Sequence, residues 1–151
     1  MKWLICTPIV LLAALGCSDT PVAPEQDPDD ILDAEFLTDI AGTTLRVSPG
    51  LILVPEPVEL HASVAVSPHS MPLQEIPQEL TISDLWVVSE GVFFHQENPD
   101  LIKSKHILTA KLTNVEISNL SGVEVTVAVR VTVPFGEAKI VRSLTVLFPE
   151  F

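Results

Sequence analysis

Val123-Glu-Val-Thr-Val-Ala-Val-Arg-Val-Thr-Val133 sets valine at every odd position, so six valines share one face of an extended chain, while Glu124, Thr126, Arg130 and Thr132 point the other way. The alternation predicts a strand with one face buried and the other wet. Pro134-Phe135-Gly136-Glu137 supplies a turn, and Ala138 to Phe148 returns as a β-rich run. The end of the chain therefore reads as an antiparallel hairpin.

The same period extends upstream. Further strands are expected at Thr44 to Ser48 or Leu51 to Val54, Val58 to Ser67, Leu80 to Ser89, Val92 to His95, and His106 to Ile117. Between them stand Ser48-Pro49-Gly50, Ser67-Pro68-His69, Glu90-Gly91, Asn98-Pro99-Asp100 and Asn119-Leu120-Ser121-Gly122, which are turn chemistry and not crossover helices. Without helices between strands, pairing must be mainly antiparallel. The expectation for 44–151 is an all-β sandwich of about seven strands.

That architecture resembles the immunoglobulin-like modules of bacterial surfaces. The resemblance rests on Trp86, on the strand that would be third, and on Leu112-Thr113-Asn114 followed by Asn119-Leu120-Ser121-Gly122 ahead of the valine strand. No cysteine pair flanks the tryptophan, and the chain has no tyrosine from which to build a tyrosine corner. The expectation is thus an Ig-like sandwich and not a true immunoglobulin domain.

The first third of the chain has a different composition. Residues 18–43 hold eight acidic residues and no Lys or Arg, within a chain of net charge −12. Pro21, Pro24 and Pro28 among these acids describe an extended, self-repelling tether over Ser18 to Asp30, able to reach roughly 45 Å. A chain so acidic is repelled by phosphate backbones, which argues against nucleic acid as a partner. Leu32, Phe36 and Ile40 recur every four residues, and Gly42 follows. They predict a short helix over 30–41, capped by Asp29 or Asp30.

Met1-Lys2 gives one positive charge, and Trp3 to Gly16 is an apolar run of signal-peptide length, too short for the roughly 20 residues that span a bilayer. It ends in Leu11-Leu12-Ala13-Ala14-Leu15-Gly16-Cys17. That run resembles a bacterial lipoprotein lipobox, although Ala14 replaces the commoner leucine three places before the cysteine. The resemblance implies a signal peptide over 1–16, cleavage before Cys17, lipidation of the Cys17 thiol and membrane anchoring. By the same analogy Ser18, where an Asp would mark retention, favours the outer membrane. Cys6 would leave with the leader, so no free thiol and no disulfide would remain.

Asp27, Asp29, Asp30 and Asp33 are hard oxygen ligands, but they lack the glycine and closing glutamate of a calcium loop. His69-Ser70-Met71 pairs two soft ligands and resembles the end of the motif of periplasmic copper-carrying sandwiches, so His69 and Met71 are the weak metal candidates. His61, His95 and His106 sit on separate segments without metal-ligand spacing, and no Gly-x-Ser-x-Gly elbow accompanies them. The terminal Leu144 to Phe151 run resembles the closing strand of an outer-membrane barrel, but Pro149 interrupts its alternation.

The resulting expectation is a membrane-anchored extracytoplasmic lipoprotein, without enzymatic activity or cofactor, whose sandwich binds or scaffolds another component of the cell envelope, protein or glycan. The alternatives are a metal carrier or enzyme using scattered His and carboxylates, and a purely structural subunit.

Overall fold

The computed structural model describes residues 26–52, 59–66, 74–90, 92–112, 120–148 and 150, with the backbone alone at 51–52, 59–66 and 92. One helix, α1 (Pro28–Leu32), precedes ten strands. These are β1 (Leu37–Ile40), β2 (Thr43–Ile52), β3 (Glu59–Val66), β4 (Thr81–Ser89), β5 (Val92–Glu97), β6 (Asp100–Lys103), β7 (Ile107–Leu112), β8 (Glu124–Thr132), β9 (Lys139–Arg142) and β10 (Val146–Leu147).

The strands form two antiparallel sheets. The first has the order β1-β2-β3-β7-β6, and the second β10-β8-β4-β5, with β9 also paired to β8. Leu45 and Val47 of β2 and Leu108, Ala110 and Leu112 of β7 meet Leu85 and Val87 of β4 and the valines of β8 in one core. The fold is the expected all-β sandwich.

Val125, Val127, Val129 and Val131 are fully buried, as their alternation requires, but the other face of β8 is not wet throughout. Thr126 and Ala128 are buried too. A second, smaller apolar cluster covers Ala128 on the outside of the sheet, where Ile31 of α1 meets Trp86 and Val88, and Thr126 lies against Thr145. Trp86 lies on the strand expected for it but on the outer face, not between the sheets.

The helix is shorter than its apolar spacing suggested. Asp27 caps it, its side chain accepting from the Asp29 amide at 3.0 Å, Pro28 opens the first turn, and Asp33 ends it. Leu32 and Phe36 of the four-residue stripe are exposed. In Leu37 to Ile40 the burial alternates, with Thr38 and Ile40 inside and Leu37 and Asp39 outside, so that segment is a strand. Ala41 (φ 50°) and Gly42 (φ 75°) form the two-residue turn that pairs it with β2. Burying the Thr38–Ile40 face gives more than an exposed helical stripe could. Ile31, Thr38 and Ile40 in this acidic stretch are buried against the sheets.

Two other expectations change. Ser48-Pro49-Gly50 is no break, since β2 runs through it in continuous register with β3. The segment β6, unforeseen and exposed along its length, pairs with β7 at the edge of the first sheet. The terminal hairpin is as expected, β9 and β10 both returning along β8. In its turn a side chain on Gly136 would run into the Val133 side chain, which explains the glycine.

Candidate functional site

Two places on the surface gather chemistry. The first is the outer face of the second sheet and depends on a β-bulge. Ile82 pairs with Val131 and Asp84 with the next residue, Arg130, so Ser83 is an extra residue in β4. The insertion reverses the side-chain parity of the strand. Ile82 points into the core before it, Leu85 and Val87 after it, and Asp84, Trp86 and Val88 turn outward. Without the bulge Asp84 would enter the core as a bare carboxylate.

Turned outward, Asp84 is only 8% exposed and fully engaged. Its Oδ1 accepts from His95 Nε2 at 2.9 Å, and its Oδ2 from Ser83 Oγ at 2.7 Å and from an Arg130 terminal nitrogen at 3.2 Å. The other terminal nitrogen of Arg130 donates to Gln26 Oε1 at 3.2 Å. The His95 ring stacks on Trp86 with 5.2 Å between centroids and 11° between planes, and the Arg130 guanidinium also lies 5.2 Å from that ring. Ser83 and His95 each donate to the carboxylate, so this is not the hydroxyl-to-imidazole-to-carboxylate order of a nucleophilic relay. The cluster instead fixes Trp86 and ties the N-terminal segment to the sheet.

The second place is the seam between the sheets on the β2 and β9 side. The chain crosses this seam once. Glu35 bridges to Val141, its carbonyl accepting from the Arg142 amide at 3.0 Å, and two residues later β1 begins in the opposite sheet. Arg142 Nε donates to the Ala34 carbonyl at 2.8 Å, and its guanidinium lies 3.7 Å over the Phe36 ring. The crossing closes half of the seam. The other half is a groove of about 410 Å³ lined mainly by apolar side chains, among them Phe36, Leu37, Val47, Leu144 and Val146, with Arg46 and Arg142 beside them. Leu144 is 67% exposed. Arg46 is exposed, and its side chain makes no hydrogen bond or ion pair among the described residues.

Backbone parity decides what the groove edge offers. In a two-residue hairpin the residues flanking the turn, Ile40 and Thr43, form a hydrogen-bonded pair. Thr43, Leu45, Val47 and Pro49 therefore direct their backbone groups toward β1, while the even positions face β3. Pairing with β1 stops at Arg46, opposite Leu37. The N–H and C=O of Val47 and the C=O of Pro49 then lie along an edge with which no described strand pairs. Pro49, which has no N–H to donate, sits where its missing donor breaks no ladder.

Of the residues singled out by sequence, Trp86 and His95 come together in the first cluster. His106 Nδ1 hydrogen-bonds the Gln74 carbonyl at 2.9 Å, and His61 lies on β3. Cys17, the leader, most of the tether, His69 and Met71 lie outside the described residues. Among the described residues no group of three His, Cys, Asp or Glu is placed to hold a metal ion, and no helix is long and apolar enough to cross a membrane. Asp84, Arg130 and the seam were not foreseen. The signal for Asp84 was an acid between Ile82 and Leu85 in a run that otherwise reads as buried.

Comparison with protein families, with curated proteins and with solved structures finds no match to this chain.

Proposed function

We propose that this chain is a lipid-anchored lipoprotein of the cell envelope, outer membrane favoured, whose β-sandwich is a binding or scaffolding module. The anchor reading rests on Leu15-Gly16-Cys17 behind the apolar leader. The module reading rests on one observation above all, the seam groove. A domain that already holds a continuous core leaves Phe36, Leu37 and Leu144 partly or largely exposed along one concave line, flanked by two arginines. Clustered apolar exposure with a polar rim is the usual mark of an interaction surface, and single exposed side chains are not.

Mass spectrometry of the N-terminus of the purified membrane form tests the anchor. A diacylglyceryl-modified Cys17, with release to the soluble fraction in Cys17→Ala, is the expected result. An unmodified N-terminus removes the anchor. A photo-crosslinking residue at Leu144 tests the module in intact envelopes. It should give discrete adducts, where a residue at exposed Glu97 on the far edge gives none.

A further inference from the structure

We infer that the open half of the seam is a strand-addition site for a short extended segment of another protein in which aliphatic and acidic residues alternate. The inference rests on the binding-module reading above and specifies its ligand. The position is the one β1 vacates. From Arg46 onward nothing described pairs with the outer edge of β2, yet Val47 still presents an N–H and a C=O in the direction that Thr43 and Leu45 use to bind β1. An extended chain laid antiparallel along this edge makes two hydrogen bonds at Val47. It gains one more acceptor at Pro49, whose missing N–H limits how far the ladder can grow.

The side-chain requirement follows from the same register. Residues opposite one another share a face, so the residue opposite Val47, which is buried in the core, points into the seam toward Val146. That position needs an aliphatic side chain. The next residue points outward and is the diagonal neighbour of Arg46, an arginine without a partner in a chain of net charge −12. That position suits a carboxylate. A second copy of the chain is disfavoured, because a two-fold contact through this face would set Arg46 and Arg142 against their own copies. A bilayer surface is disfavoured by the concavity, which a flat lipid surface does not fill.

The test titrates the isotope-labelled full chain with a blocked heptapeptide alternating valine and glutamate, and follows backbone amide shifts. Three comparison titrations use a valine–lysine peptide, the first peptide N-methylated at its central valine, and phosphatidylglycerol vesicles. The proposal expects shifts confined to residues 36–37, 46–49 and 142–146 with the glutamate peptide. N-methylation should weaken binding by at least about tenfold, the loss of one well-placed hydrogen bond. Arg46→Glu, at an exposed and unpaired position, should keep the fold and reverse the preference toward the lysine peptide. No binding of the glutamate peptide at millimolar concentration overturns the proposal, as does indifference to N-methylation and to Arg46→Glu. It is equally overturned if the same amides respond to vesicles or to self-association instead. If Arg46→Glu leaves the Leu144 crosslinks in the envelope unchanged, strand addition fails while the binding-module reading stands.

Discussion

Replacing Ile31 by alanine separates a docked N-terminal segment from a passive one. Ile31 is fully buried on a helix of five residues, and its contacts, Trp86, Val88 and Ala128, lie on the outside of a sheet whose other face carries the main core. The substitution deletes three side-chain carbons. At about 0.8 kcal/mol per buried methylene the transfer loss is about 2.4 kcal/mol, and any cavity left behind adds to it. Because so short a helix can settle into part of the void, the total should stay in the lower half of the usual range, about 2 to 3 kcal/mol. For a domain of this size that is a fall in Tm on the order of 10 °C. Leu32→Ala, the next residue along and 38% exposed, should cost clearly less than Ile31→Ala, about 1 kcal/mol. Thermal melts by circular dichroism of the two variants in parallel give the comparison, and Trp86 emission in a Trp3→Phe background reports the cluster itself. Equal melts for Ile31→Ala and wild type would refute the packing of α1 on the sheet.

Other consequences are checked by the same melts. Val127→Asp should cost several kcal/mol, and Thr126→Asp should also cost more than about 2 kcal/mol, because Thr126 is buried with its hydroxyl 2.9 Å from that of Thr145; a near-neutral Thr126→Asp would mean that the outer face is uncovered after all. Asp84→Asn, which leaves Arg130 without its carboxylate, should cost about 2 to 3 kcal/mol, discounted from the fully buried case because Arg130 is 29% exposed, whereas Glu97→Gln at the exposed edge should stay within about 0.5 kcal/mol. Phe135 adopts φ 62° at the tip of the β8–β9 turn with its side chain wholly in solvent, so Phe135→Asn should raise stability by up to about 1 kcal/mol, and a loss would show that the ring makes a contact.

What the sequence disclosed and what it concealed follow one rule. Period-two alternation reports the face that is buried between the sheets directly, and the inward valines of β8 were legible for that reason. Where burial is two-sided, alternation carries less information: Thr126 and Ala128 look like solvent positions beside valines, and only residues distant in sequence, Thr145 beside Thr126 and Ile31 beside Ala128, make them interior. The four-residue spacing of Leu32, Phe36 and Ile40 misled in the opposite way. It matches a helical face, but the same residues fit a short helix, a crossing and a strand, and tertiary pairing with β2 decided between them. Edge strand β6 has no buried face at all, so no pattern marked it.

The candidate sites were less legible because both depend on parity, which a chain does not state until its partners are fixed. Asp84 reads as an acid in a core strand until the bulge at Ser83 turns it to the outer face, toward His95 and Arg130. Pro49 reads as a turn residue until the hairpin at Ala41-Gly42 establishes that odd positions of β2 face the open edge. The same proline then has two consequences: it lets β2 continue past the end of β1, and it leaves Val47 as the position in the groove at which an added strand can both donate and accept.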